Sequence, residues 1–232
     1  MNEERLSLIE DGHAAGLDRL REFEVDYTPG PVVRQGLAWA LRHVGMPRRF
    51  LDPAAGAGVF AQQLDALGHD PDHGFRWAVE PRPEERGNLR RHYHSVASCR
   101  FEECEDFGGP FDLIATNPPF SVWPQFLARS LDLVSDRGAV LFYGSLAWGQ
   151  SGEGAEVFSR LPPTACARVV GRVHHRGPGV NPKTGKPWGA DLRDMCWWLW
   201  DRGSKHRAPW LTENLPPLPA ESRRWIVRPG TE

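Results

Sequence analysis

Phe111-Asp112-Leu113-Ile114-Ala115-Thr116-Asn117-Pro118-Pro119-Phe120 is the stretch from which the rest of this chain can be ordered. A short, mostly apolar run bounded by turn residues predicts a buried strand. The two prolines cannot continue it, because each lacks a backbone N–H and has a fixed φ. The strand must therefore end in a stiff loop that presents Asn117 and Phe120.

Upstream lies a second run that stops in a turn, Phe50-Leu51-Asp52-Pro53-Ala54-Ala55-Gly56-Ala57-Gly58. Residues 48–53 read as a first strand. Residues 59–67 carry apolar positions at helical spacing (Val59, Phe60, Leu64, Leu67) and stop at Gly68, a suitable C-terminal cap. Residues 75–80 read as a second strand, residues 84–93 as helix, and residues 101–107 as a short acidic third strand. The quoted run supplies the fourth strand and residues 126–134 a helix. Residues 138–145 form an almost wholly apolar fifth strand, as a central strand should be. This alternation predicts an α/β fold with a mainly parallel sheet.

Beyond it, residues 167–174 and 195–201 are β-rich with no helix between them, which predicts an antiparallel pair at the sheet edge. Trp197, Trp198 and Trp200 are expected to pack on the two faces of the last strand. The connection, residues 176–194, is rich in glycine and proline, and long loops of this kind often carry function. Three segments are expected: an N-terminal extension at 1–26, a core domain at 27–207, and a proline-rich tail at 208–232 that is irregular.

The chain has 232 residues, enough for one ample domain, and 25% are charged, an ordinary globular share. No apolar run approaches the ~20 residues of a membrane span. Residues 1–21 are charged and lack the apolar centre of a signal peptide, so a cytoplasmic protein is expected. Cys99, Cys104, Cys166 and Cys196 show no metal-type pairing and are expected to be free thiols in that compartment. The adjacent His174 and His175 are too weak a signature to assign a metal. Net charge is −2, but residues 151–232 hold 13 basic against 8 acidic side chains, and residues 1–150 hold 15 against 22. A basic final third suits a polyanion meeting one face, although uneven surface charge is the plainer reading.

Gly56 and Gly58 allow a tight turn and close backbone approach to a ligand, ahead of a helix with free N–H groups. The spacing does not fit Gly-x-Gly-x-x-Gly, so it is a poor dinucleotide fingerprint. Glu80, 22 positions after Gly58, ends the second strand, where an acid can accept hydrogen bonds from ribose hydroxyls.

Taken in order, these motifs resemble the DNA adenine-N6 amino-methyltransferases, over about residues 27–145. The matching pieces are Asp52-Pro53-Ala54-Ala55-Gly56-Ala57-Gly58 and Asn117-Pro118-Pro119-Phe120, preceded by Tyr27-Thr28-Pro29 before a helix. The resemblance implies a class I, Rossmann-like methyltransferase fold. That fold has a seven-stranded, mostly parallel sheet, an antiparallel pair at its edge and helices on both faces. It implies S-adenosyl-L-methionine as cofactor, with Thr28, Pro29, Asp52, Pro53, Ala54, Gly56, Gly58, Glu80 and Asn117 around it. Asp106 would receive the cofactor's adenine amine and Phe107 would pack on its ring. It further implies DNA as partner and N6 of adenine as target.

The chemistry suits those residue types. The lone pair of N6 is delocalised into the ring, and acceptors for its N–H groups draw the nitrogen toward sp³. The side-chain oxygen of Asn117 and the carbonyl of Pro118 are such acceptors, Pro119 stiffens the loop, and Phe120 offers a face for the base. A sulfonium is a strong methyl donor, so positioning should carry much of the rate. A paired base must first leave the duplex stack. Arg176, Lys183 and Lys186 are candidate phosphate contacts and Trp188 a candidate base-stacking residue.

Restriction-associated members of the family carry a large recognition domain, whereas 87 residues follow Ser145 here. Sequence specificity is expected to be low or to come from short loops, the tail or a partner. The alternatives left open are an RNA amine or a protein glutamine as acceptor, and a binding module without catalysis. Glutamine methyltransferases usually have tyrosine at the position of Phe120 and an N-terminal helical domain.

Overall fold

The computed structural model describes residues 27–175, 193–204 and 211–223. Eight strands form one sheet in the order β3-β2-β1-β4-β5-β7-β6-β8. They are β1 Arg49–Asp52, β2 Phe75–Val79, β3 Ser95–Ala97, β4 Phe111–Thr116, β5 Val134–Ser145, β6 Ala165–Arg168, β7 Met195–Asp201 and β8 Leu211–Asn214. The first five run parallel. β7 is antiparallel to both β5 and β6.

The chain winds outward from β1 in one direction through β2 and β3, then returns to place β4 on the other side of β1. This reversal is the switch point of a doubly wound sheet, and it opens a crevice at the strand ends. Register puts Phe50 beside Leu113 and Leu51 beside Ile114. The loops after Asp52 and Thr116 therefore leave the sheet side by side.

Helices cover both faces: α1 Gly30–Val44, α2 Val59–Ala66, the short α3 Arg86–Leu89, α4 Trp123–Leu133 and α5 Gly152–Arg160. α1 starts with Pro31 in its first turn, where a missing N–H costs nothing. Its buried stripe contains Val32, Val33, Gly36, Leu37, Trp39 and Ala40. Gly36 lies so close to the Trp197 indole that a Cβ there would overlap the ring.

β7 shows why its tryptophans alternate. Trp197 points into the core beneath α1, while Trp198 and Trp200 point to the opposite face against Phe158 of α5. Successive strand residues face opposite sides, so a run of indoles fills both cores.

Several expectations are corrected. Residues 101–107 are not the third strand. That strand is Ser95–Ala97, and Phe101–Glu103 is a single 3₁₀ turn. Phe101, Cys104 and Phe107 are buried three residues apart, a spacing that anchors an irregular loop and not a pleat. Helix in residues 84–93 shrinks to a 3₁₀ turn at Pro83–Glu85 and the single turn of α3. α5 is an unanticipated helix after β5, started by Ser151, whose hydroxyl accepts from the Gly154 N–H at 3.0 Å. The tail is not wholly irregular, because β8 adds parallel to β6 and raises the strand count from seven to eight. β6 and β7 pair as expected, but β8 and not β6 forms the edge. Cys99 and Cys104 are joined by a disulfide, so they are not free thiols, whereas Cys166 and Cys196 are free and buried.

Candidate active site

At the switch point the turn after β1 bends through two left-handed glycines, Gly56 at φ 51° and Gly58 at φ 81°. L side chains rarely adopt such angles, which explains glycine at both positions. Asp52 does not face outward from this turn. It is fully buried, and the Tyr93 hydroxyl donates to its Oδ2 at 3.0 Å. Burial pushes its carboxyl up to about 7, against the opposing pull of the Tyr93 hydroxyl and the Ala54 N–H.

Glu80 follows β2 and is 5% exposed. Its two oxygens are well supplied with donors. Oε2 accepts from the Gly56 N–H at 2.8 Å and from Arg82 Nη2 at 3.2 Å. Oε1 accepts from Arg82 Nε at 2.8 Å and from the Arg82 N–H at 3.1 Å. Arg82 Nη1 also donates to the Tyr27 hydroxyl at 3.0 Å, and that hydroxyl donates to Glu85 at 2.8 Å. Burial alone would favour a neutral Arg82, but the Glu80 carboxylate overrides it and raises the guanidinium further above its ordinary value. Burial and the hydrogen bond to Glu85 raise Tyr27.

Facing this ionic cluster is the loop after β4. Pro118 is buried, while Asn117, Pro119 and Phe120 are partly exposed. The Val122 N–H returns to the Pro119 carbonyl at 3.2 Å and closes the loop onto α4. Phe120 meets Trp148 edge to face at 5.5 Å, and Trp148 stacks on Trp123 at 4.5 Å with the planes 8° apart. The Trp148 indole in turn lies flat against Gly144, where a Cβ would intrude on the ring. The guanidinium of Arg193 sits 4.2 Å from the Phe120 ring centre.

Between the two walls is a cavity of about 410 Å³, a size that suits a small ligand. Of the residues singled out from sequence, Pro53, Ala54, Gly56, Glu80, Asn117, Pro118, Pro119 and Phe120 line it. Asp52, Gly58, Thr28 and Pro29 stand behind the lining. Thr28 is buried, and its hydroxyl has no hydrogen-bond partner among the described residues. Asp106 is exposed, accepts from the Gly108 N–H at 2.7 Å and does not line the cavity. Phe107 is buried against Trp77 and Phe111. The same stretch sends Arg100, Phe101 and Glu102 to the cavity instead. Arg176, Lys183, Lys186 and Trp188 lie outside the described residues.

Sequence reasoning missed Tyr27, Arg82 and Phe101. Tyr27 adjoins the Thr-Pro signal and Arg82 lies two residues past Glu80, so both were within reach of the motifs. Phe101 was hidden by the misplaced third strand.

No family model matches the sequence, and no curated protein sequence matches it. Solved structures do match its fold. A type I restriction-modification system methyltransferase subunit from Streptococcus thermophilus superposes with a TM-score of 0.59 at 11% identity, over 78% of this chain and 46% of its own. A Listeria monocytogenes protein, described as a class I S-adenosylmethionine-dependent methyltransferase, gives 0.56 at 14%, over 83% and 67%. A Vibrio vulnificus protein, described as a type I restriction enzyme modification subunit, gives 0.51 at 15%, over 85% and 51%. The chain therefore has the class I methyltransferase fold, and it spans about half the length of the two modification subunits.

Proposed function

We propose that this chain is an S-adenosylmethionine-dependent methyltransferase that acts on the exocyclic N6 amine of adenine in DNA. The observation that carries the reading is one of placement. The Asn117-Pro118-Pro119-Phe120 loop and the Glu80 carboxylate with its glycine turn line one cavity, at the sheet's switch point. Two of the structures that share the fold are modification subunits, which accords with a DNA substrate.

The residues present fit that cofactor. Glu80 is a nearly buried acid beside left-handed glycines, where a Cβ on Gly56 would stand 3.6 Å from the Tyr27 ring. Glu80 would accept from the ribose hydroxyls, exchanging the side-chain bonds that it now receives from Arg82. Phe101 and Glu102 would meet the adenine, an apolar face and an acceptor for its amine. When bound, the cofactor supplies an electrophilic methyl on a sulfonium.

The target base would stack on Phe120, which Trp148 and Trp123 hold from behind. The Asn117 side-chain oxygen and the Pro118 carbonyl would accept the two amine N–H groups. This steers the nitrogen lone pair toward the methyl carbon. Held by these two acceptors, the amine would release one proton to solvent as it gains the methyl group that the cofactor supplies.

Tritiated cofactor offered with DNA, RNA and protein tests the reading. The expected result is label in DNA, recovered as N6-methyladenine after digestion. Label confined to RNA or to protein would move the substrate to that class. Absence of label from all three, with cofactor bound, would leave a binding module.

A further inference from the structure

We propose that Arg82 is a built-in competitor for the ribose site: its guanidinium holds the two acceptor positions of Glu80 that a ribose diol needs, and yields them by moving to Glu85. This rests on reading Glu80 as the acceptor for the ribose hydroxyls.

The first observation is a carboxylate with no acceptor position left. An ionised carboxylate has about four acceptor sites, two on each oxygen. Glu80 has four donors among the described residues, two on each oxygen. Each oxygen takes one backbone N–H, from Gly56 on Oε2 and from Arg82 on Oε1. Each also takes one guanidinium N–H, from Arg82 Nη2 at 3.2 Å and from Nε at 2.8 Å. A diol brings two O–H donors and finds no site open. The backbone pair belongs to the left-handed glycine turn and to the chain leaving β2, so it stays. The guanidinium pair sits on a long side chain that is 27% exposed, and that pair can leave. The positions it vacates are one on each oxygen, which suits the two hydroxyls of a diol.

Second, a receiver stands beside the guanidinium. Arg82 Nη1 donates to the Tyr27 hydroxyl at 3.0 Å and lies 3.8 Å from Glu85 Oε1. The Tyr27 hydroxyl donates to the same Oε1 at 2.8 Å. The other oxygen of Glu85, Oε2, has no hydrogen-bond partner among the described residues. A guanidinium fork pairs with one carboxylate as well as with another, so Glu85 can replace Glu80 and no charge is stranded.

Third, the move clears the cavity. Arg82 lines it and Glu85 does not. Arg82 Nη2 stands 3.7 Å from the place of a Cβ on Gly56, so its departure opens space at the glycine turn itself.

Calorimetry on the full chain tests the exchange. The probe is S-adenosylhomocysteine, which has the diol and no net charge, so loss of a cation does not by itself favour it. A ligand that needs the open arrangement binds with an apparent dissociation constant raised by the inverse of the open fraction. Arg82→Met should therefore tighten binding about threefold or more, although it lowers the melting temperature of the empty protein. A merely structural contact would lower stability and affinity together. Arg82→Lys, a cation without the fork, should fall between wild type and Arg82→Met, and it gives the same sign where Arg82→Met does not fold. Glu85→Gln should weaken binding about threefold alone and change it little beside Arg82→Met, because the receiver then has nothing to receive. Weaker or unchanged binding in the Arg82 variants, or an equal effect of Glu85→Gln in both backgrounds, would overturn the proposal while a loss of affinity in Glu80→Ala keeps the ribose reading. Unchanged affinity in Glu80→Ala would remove that reading, and this assignment with it.

Discussion

One wall of the cavity is made of charge and the other of rings. On the first, a single carboxylate, Glu80, takes bonds from Gly56 and Arg82, and Arg82 continues to Tyr27 and Glu85. On the second, Phe120 leans on Trp148, Trp148 stacks on Trp123, and the group packs against Phe158 of α5. Hydrogen bonds can be exchanged for those of a ligand at little net cost, because a new donor replaces an old one. Close-packed rings cannot be exchanged, since moving one displaces its neighbours. The charged wall should therefore set how tightly a ligand is held. The aromatic wall should set how well a reacting atom is aimed.

The largest effect should come from Asn117→Ala, which removes a polar group from the aiming side. Loss of an oriented contact made in the transition state costs ~10²-fold or more in turnover. The cofactor dissociation constant should move less than about twofold. Survival of more than about a tenth of the wild-type rate would take Asn117 out of the chemistry.

Glu80→Ala tests the other wall. Charge-assisted hydrogen bonds contribute ~1.5–3 kcal/mol, so calorimetry should show at least a tenfold rise in the cofactor dissociation constant. An unchanged value would mean that the carboxylate serves the Gly56 turn and Arg82 alone.

Gly144→Ala probes the rings through packing. Its new methyl would push into the Trp148 indole, which bears on Phe120. Overpacking typically costs ~1–3 kcal/mol of stability. Methyl transfer should fall about tenfold while cofactor affinity holds, because small misplacements near a reacting centre are expensive. If affinity fell as much as rate, the two walls would not be separable.

The smallest effect lies beneath both walls, at Asp52. Its carboxyl is raised from 3.8 to about 7 in the fold. Below the lower value both folded and unfolded chains are protonated and the residue contributes no slope. Between the two values the folded protein keeps a proton that the unfolded chain has released. Stability therefore falls as pH rises through this window and levels off above it. Asp52→Asn retains an acceptor for Tyr93 and cannot titrate. Its melting temperature should change less between about pH 4 and pH 7 than that of wild type. Parallel melting curves for the two proteins would show that Asp52 does not carry this proton.

Legibility in the sequence followed a similar division. β1, β2, β4 and β5 were readable because their apolar runs end in turn residues, and the loops that follow them hold the signals of the site. β3 was not readable, since Ser-Val-Ala is too short for a period and half-exposed on the sheet. Phe101 and Phe107 drew the strand to the wrong place. β8 was masked by the prolines that follow it, and its parallel pairing with β6 is a long-range event. Arg82 shows a different limit. Its importance lies in contacts to Glu80 and Tyr27, and the Tyr27 contact spans 55 positions that only the fold brings together.

The disulfide between Cys99 and Cys104 encloses Arg100, Phe101 and Glu102, three residues of the cavity lining. Arg129 of α4 donates to the Cys104 carbonyl and lies 5.3 Å from the Phe101 ring centre, so the enclosed segment is also fastened from outside. A covalent link in the lining would tie ligand affinity to the thiol chemistry of the surroundings if it shapes the cavity. Free-energy coupling between two such events is reciprocal. If the closed link holds the lining in its ligand-ready form, a bound ligand must protect the link from reductant to the same degree. The oxidation state of these two sulfurs and the occupancy of the cavity would then report on each other.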